Sequence, residues 1–464
     1  MCTISWSVCA QPALHLPRST SVAVRPAVRS SYGPPFRIAT TETSEGPPGR
    51  VISERARMVD QCSGSQRPRV ADATSRVDRR RGNGTLLPSA GPELDRLSTI
   101  LVLGPDIGDV GGVSTHLAQM FSSSLSADFR LIHFQTGSGG RRENRWGRLW
   151  RAIDSPVQLF AATARHRPRI IHINSAPDSK AFWRDAVYLV LAKSMGRQTV
   201  FEMHGSHLPA DYANGSHLPT DYASRNRVRQ AAMRRILRLA NRIVLLSEFD
   251  FVAYQNYDPY LSTVVIPNAI EVPAGTPPRK PVSDDAPLKL IYIGRLIRAK
   301  GIFEAVEAVR LLQARNIHVR LDIVGAGPDS EELRRSIVDA GVQECVQMLG
   351  PQHGADKERV LEESDVLVFP TYGEGLPYVL LESMAAGTVP VTCPVGGIPD
   401  VLSKCQCGIT VPPRDPSAVA EAVHTLHRDR EMARALSEAA HRVIVEHYQV
   451  SRMASDFRRL YERM

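Results

Sequence analysis

From Ser98 onwards the spacing of apolar positions changes repeatedly. Short, β-branched apolar runs alternate with longer segments in which apolar residues recur at helical spacing. In the first half of this region the runs at 99–103, 130–134, 169–174, 199–204, 242–247 and 263–267 predict strands. Helical spacing predicts helices over 113–125, 149–165, 181–195, 226–240 and 248–257, with Ser155-Pro156 starting the second of these late or kinking it. The second half repeats the alternation. Its strands are expected at 290–293, 321–324, 346–350, 365–371, 389–393 and 408–412, with a helix ending near Arg315, another over 376–386, and helices from Pro416 to the end. Strands buried on both faces and separated by helices make parallel sheets, so the fold class is α/β, with two parallel α/β domains. The Pro-rich stretch 273–287 reads as the linker between a first domain over 96–272 and a second over 288–445.

Residues 1–95 show no sustained period and are rich in Arg, Pro, Ser and Gly, which predicts a disordered basic leader. Thirteen Arg there face eight acids, so more than half of the chain's net charge of +9 lies outside the α/β region. The first sixteen residues, MCTISWSVCAQPALHL, lack the basic and continuous apolar parts of a secretory signal. With 43% hydrophobic and 23% charged residues, the composition is that of a soluble globular protein, and no apolar run approaches the length of a bilayer span. The seven Cys show no metal-ligand spacing and read as reduced thiols of a cytosolic protein.

The densest chemistry lies in 372–397, YGEGLPYVLLESMAAGTVPVTCPVGG. A strand, a Gly-containing turn at Gly375 and a helix beginning near Pro377 form a corner where unpaired amides and the helix dipole favour an anion. Glu374 stands at the mouth of that helix and Glu382 inside it, and Gly387 closes it. Carboxylates accept paired hydrogen bonds from vicinal hydroxyls, so a phosphorylated, polyhydroxylated ligand suits the arrangement. Arg295 and Lys300 lie in the loop 294–301, where their charges would neutralise a diphosphate. The bland alternatives are a helix cap, a solvated Glu and two solvated loop cations.

Two glycine turns follow strands without completing a dinucleotide fingerprint. The first, 104–112, ends in Gly111-Gly112 but lacks G-x-G-x-x-G, and the second, with Gly325 and Gly327, has Ser330 where a third Gly belongs. A tandem decapeptide, GSHLPADYAN then GSHLPTDYAS over 205–224, looks like a local loop duplication. Arg141, Arg142, Arg145, Arg148 and Arg151 surround Trp146 and Trp150, and seven Arg between Arg225 and Arg242 face no acid. That charge suits either peripheral contact with an anionic membrane or solvated helix faces. No aromatic stacking platform accompanies it, so nucleic acid is not expected.

The E-x7-E spacing, the EGLP turn, the LLESMAAG helix, the PVGGIPDV tail and GRL-x3-KG at 294–301 resemble the retaining GT-B glycosyltransferases of family 4. So does IPNAIE at 266–271, close to that family's IPNGID with Ala269 in place of Gly. The resemblance covers about residues 98 to 464. It implies two Rossmann-like domains facing across a cleft, with residues 446–464 forming a helix that crosses back to the first. The implied reaction moves a hexose from a nucleotide-sugar to a hydroxyl acceptor with retention of configuration. The acceptor would be a polysaccharide, a glycolipid or a cell-envelope glycan precursor, lipid-linked acceptors included. Glu374 would hold the hexose, Glu382 the ribose, and Arg295 with Lys300 the diphosphate. His204 would lie near the donor sugar. Gly111, Gly112, Asn268, Gly325, Gly327, Gly375 and Leu376 would complete the donor site. No D-x-D motif is present, so neither a metal nor a cofactor beyond the co-substrate is expected, and the location implied is cytoplasmic or on the inner membrane face. Other readings of the same residues are an epimerase or phosphorylase of the same fold, a catalytically inactive binding subunit, and, more distantly, an NAD-dependent oxidoreductase.

Overall fold

The computed structural model describes residues 97–137, 144–175, 179–205, 227–272 and 286–464. The basic leader, the tandem decapeptide after Gly205, most of the linker, and Arg141 with Arg142 lie outside the described residues.

The first domain runs β1 (Thr99–Gly104), α1 (Gly112–Ser122), α2 (Leu125–Asp128), β2 (Arg130–Gln135), α3 (Arg145–His166) and β3 (Ile170–Ser175). It continues with α4 (Ser179–Ser194), β4 (Gln198–Met203), α5 (Arg227–Leu237), β5 (Arg242–Leu245), α6 (Glu248–Tyr257) and β6 (Thr263–Val265). Its six strands are parallel in the order β2-β1-β3-β4-β5-β6. Both faces are covered, which is why β1 reads as an unbroken apolar run. Leu101 and Leu103 pack with Leu159 of α3 and Phe182 of α4, while Ile100 and Val102 face Leu117 of α1 on the other side.

The second domain runs β7 (Leu288–Ile293), α7 (Ile302–Gln313), β8 (Val319–Val324), α8 (Ser330–Asp339), β9 (Val346–Gly350), α9 (Gly354–Glu362) and β10 (Val366–Phe369). After it come α10 (Tyr378–Ala385), β11 (Val389–Thr392), α11 (Ile398–Leu402), β12 (Ile409–Thr410), α12 (Pro416–Arg428), α13 (Arg430–His447) and α14 (Val450–Glu462). The second sheet is also six-stranded and parallel, β12-β11-β10-β7-β8-β9. The expected α/β class with two parallel domains is therefore present.

Local differences have local causes. The expected helix at 113–125 breaks into α1 and α2, because the Ser123 hydroxyl bonds the Met120 carbonyl and accepts from the Leu125 amide. α3 does not start late at Ser155-Pro156. It begins at Arg145, capped by the Asn144 side chain on the Gly147 amide at 2.7 Å, and runs through Pro156. Pro377 is the N-cap of α10 rather than part of its first turn. The last strand shrinks to Ile409–Thr410 at the sheet edge.

The chain passes between domains twice, and the two passages pair. The Ile270 amide donates to the Tyr448 carbonyl at 2.9 Å, and the Val450 amide donates to the Ile270 carbonyl at 3.2 Å. Beyond that point α14 packs Val450, Met453, Phe457 and Tyr461 against Ile100, Val102, Ile170 and Val200 of the first sheet.

Candidate functional site

In each sheet the strand order reverses beside the strand that opens the domain, β1 between β2 and β3, and β7 between β8 and β10. Loops leaving such a reversal diverge and leave a crevice at the C-terminal ends of the strands. Gly111 and Gly112 follow β1, His204 follows β4, Arg295 and Lys300 follow β7, and Glu374, Gly375 and Leu376 follow β10. All of these residues therefore stand at strand C-terminal ends, and contacts join the loops of the two domains. A Cβ on Gly375 would meet the Gly205 Cα at 2.9 Å, so these two loops touch backbone to backbone.

Lys300 donates to a Glu374 carboxylate oxygen and, at 3.1 Å, to the Gly373 carbonyl. The Thr371 hydroxyl is 3.4 Å from the same Glu374 oxygen. Glu382, on α10, is paired with Lys357 of α9 at 2.5 Å. Lys357 carried no motif in the sequence and was not anticipated. Arg295, in the loop after β7, is exposed.

The glycines are explained by close approach of backbone. A Cβ on Gly325 would lie 1.9 Å from the Gly294 carbonyl oxygen, and one on Gly327 would lie 2.1 Å from that of Leu296. These two residues therefore seat the loop that carries Arg295. The amide of Leu296 donates to the Ala326 carbonyl at 3.1 Å, locking the pair of loops. In the PVGG tail Gly396 adopts φ +56, and a Cβ there would sit 1.7 Å from the Glu374 carbonyl oxygen. The Gly397 amide donates to Gly375 at 2.7 Å. The tail is thus a floor under the Glu374 turn. Asn268 and Leu376 are both buried, and the Asn268 amide group donates to the Leu376 carbonyl at 2.7 Å. They fasten the EGLP loop to the first domain. By contrast, space above Gly111 is open, with no atom within 4 Å of a Cβ built there.

A second group of residues, apart from His204 invisible in the sequence, converges beneath these loops. Glu202, on β4, is fully buried with His116 of α1 at 3.2 Å, His172 of β3 at 2.9 Å and His204 at 3.6 Å. These contacts are close but off the hydrogen-bond line, so their attraction is chiefly electrostatic. His172 turns its other ring nitrogen, Nδ1, to the Tyr461 hydroxyl at 2.7 Å, whereas His204 sets the same Nε2 between Glu202 and the Asn174 side-chain oxygen, the latter at 2.8 Å. Burial pushes the Glu202 carboxyl up, but His116 and His204, with His172, outweigh it and hold the group well below its usual range. Burial likewise lowers His204, to about 3, with His116 and His172 acting in the same direction against Glu202. His204 is therefore neutral at physiological pH, able to accept or donate one hydrogen bond. His116, Glu202 and His204 place ligand atoms within 4.8 Å of one another, a donor set that also suits a divalent transition metal.

The two domains meet again at Asp400, in the same tail. Its carboxylate accepts from the amides of Glu248 at 2.7 Å and Phe249 at 3.3 Å, capping α6 of the first domain from the second.

The family described as Glycosyl transferases group 1 matches residues 276–443. The putative colanic acid biosynthesis glycosyltransferase WcaL of Salmonella typhimurium is 32% identical over 140 residues, 29% of this chain and 34% of that protein. Glycogen synthase of Mycobacterium tuberculosis is 29% identical over 171 residues, 37% of this chain and 39% of that protein. The chain thus spans roughly a third of the length of the curated relatives it matches. Among solved structures, sucrose-phosphate synthase from Thermosynechococcus elongatus superposes with a TM-score of 0.65 at 21% identity, covering 79% of this chain and 98% of the other. HepE of Anabaena, solved with UDP-glucose, gives a TM-score of 0.59 at 16% identity, covering 79% and 100%. At these identities the likeness establishes the architecture, and that architecture is GT-B.

Proposed function

We propose that this protein is a glycosyltransferase that moves a hexose from a nucleotide-sugar to a hydroxyl acceptor with retention of configuration, in the manner of GT-B family 4 enzymes. The observation that carries the reading is the Lys300–Glu374 pair at the strand reversal of the second sheet, beside the N-terminus of α10. A cation, a carboxylate and a helix mouth at one sheet edge divide a nucleotide-sugar into its charged and hydroxylated halves. Support also comes from the match of the second domain to Glycosyl transferases group 1, and from the UDP-glucose bound by HepE.

In this reading the bond between the anomeric carbon and the diphosphate oxygen breaks, and a glycosidic bond to the acceptor oxygen forms. The acceptor's proton leaves with the nucleoside diphosphate or to solvent. Arg295 and Lys300 offset the charge that builds on the leaving oxygens. Glu374 holds the hexose, Glu382 the ribose, and neutral His204 a sugar hydroxyl. The acceptor would be a growing polysaccharide or a glycan precursor, as the name of WcaL suggests for that protein.

A panel of nucleotide-sugars read by thermal shift identifies the donor, since a ligand at a hundred times its Kd stabilises by about 2.7 kcal/mol. Incubation of that donor with candidate acceptors, followed by NMR of the product's anomeric centre, reads both transfer and stereochemistry. Binding without any transfer or hydrolysis would instead favour an inactive binding subunit. Inversion at the anomeric carbon would overturn the retaining assignment.

A further inference from the structure

We propose that the α3–α4–α5 face of the first domain docks on the surface of an anionic lipid bilayer. α3 has two apolar faces. One, with Leu159, is buried against the first sheet. On the other, Trp146, Trp150, Ile153, Val157 and Phe160 follow at alternating steps of four and three residues and form one stripe. The whole stripe is exposed, Trp146 at 78% and Trp150 at 69% of its surface. A helix whose core-facing side is already satisfied has no folding reason to carry such a stripe, and contiguous exposed apolar surface marks a contact site.

The neighbouring helices extend the face and give it a sign. α4 packs against both α3 and α5 and turns Val187 and Val190 outward. α3 carries four Arg to one Asp, and α5 carries four Arg and no acid. On α5, Gln230, Arg234 and Arg235 line an open groove of about 510 Å³ together with Arg238. Tryptophan beside arginine on a helix lying along a surface matches the headgroup level of a bilayer, where indole straddles the interface and guanidinium meets phosphate. A second copy of the same face would set Arg against Arg, so charge disfavours self-association through it. Among the described residues no helix is long and apolar enough to cross a membrane, and the contact proposed is with the surface alone.

Vesicle sedimentation of the full chain tests this without donor or acceptor, so its failure leaves the transfer reading untouched. The protein should pellet with vesicles of phosphatidylcholine and phosphatidylglycerol, not with phosphatidylcholine alone, and high salt should release it. The double variant Trp146→Ser/Trp150→Ser should partition at least about tenfold more weakly with an unchanged melting temperature, because both rings are exposed. Ile153→Asn/Val157→Asn gives a second, independent reading of the stripe. The proposal is overturned if the parent ignores anionic vesicles, or if it binds both compositions equally. It is also overturned if both variants bind like the parent. Light scattering that shows a dimer dissolved by Trp146→Ser/Trp150→Ser would assign the stripe to a second copy of the chain.

Discussion

The Tyr378 hydroxyl, at the first turn of α10, lies 3.4 Å from Nδ1 of His116 on α1, joining the two domains through a fully buried contact between residues 262 apart in the chain. Burial pushes Tyr378 well above its ordinary range, with the charges of Glu202 and Glu382 adding to the rise, so the phenol keeps its proton and donates. His116 then accepts at Nδ1 and presents its other ring nitrogen to Glu202. Tyr378→Phe should cost about 0.5–1.5 kcal/mol in urea unfolding. A double-mutant cycle with His116→Asn should show coupling of at least about 0.5 kcal/mol, and strict additivity would mean that the contact carries no energy.

The Lys300–Glu374 pair changes what removal of the carboxylate should do. Glu374→Ala takes away the contact expected for the hexose and also releases the Lys300 ammonium from its counter-charge. Nucleoside diphosphate affinity should therefore hold or rise, while transfer falls strongly. Lys300→Ala and Arg295→Ala should each weaken the diphosphate by roughly 1.5–3 kcal/mol. Calorimetry with nucleoside diphosphate beside a turnover assay decides. A Glu374→Ala protein that loses nucleotide affinity as Lys300→Ala does would contradict the division of labour.

Acid should destabilise the fold through the buried cluster. In the unfolded chain His204 takes a proton near the ordinary imidazole value of 6.5, whereas the folded protein resists it down to about 3. The unfolded state therefore binds more protons across that window, and stability falls as pH drops from about 6.5 toward 3. Glu202, held well below the ordinary carboxylate range, acts in the same direction at the lower end. His204 alone should cost on the order of 2 kcal/mol between pH 7 and pH 5. His204→Gln should flatten the dependence of urea midpoint on pH above 5, and a variant as acid-sensitive as the parent would rule out this cause.

Asp400→Ala should lower stability by about 0.5–2 kcal/mol, as for a lost helix cap. Asp400→Asn keeps an acceptor for the Glu248 and Phe249 amides and should recover part of the loss. Equal stability of all three proteins would show that the cap is not felt.

Gly396→Ala should be among the most damaging single-methyl changes. Its φ of +56 and the 1.7 Å approach to the Glu374 carbonyl leave no room for a Cβ. The melting temperature should fall and transfer should fall further, because the displaced turn carries Glu374. A variant with parental activity would show that the turn is free to shift.

What the linear chain determined by itself was the architecture and the places where strands end. Apolar runs such as Thr99–Gly104 and Val366–Phe369 are buried on both faces, so they announce a parallel sheet without reference to anything distant. The turns after them carry local signals, because Gly301 with φ +73 and Gly396 must be glycine for reasons of backbone geometry. Tertiary structure alone decided which side chains meet. Glu202 is one polar residue in the strand Gln198–Met203, and nothing near it in the chain distinguishes it. It becomes the centre of a buried Glu–His cluster because parallel pairing sets β3 beside β4, bringing His172 alongside, while α1 folds over the sheet and brings His116. Lys357 and Asp400 likewise acquire partners 25 and 152 residues away. The stripe on α3 shows the same limit from the other side. Its helical period was in the sequence, but a period shows only that a face is apolar. Which of two apolar faces meets the core, and which meets solvent, is settled when α3 closes on the sheet through Leu159.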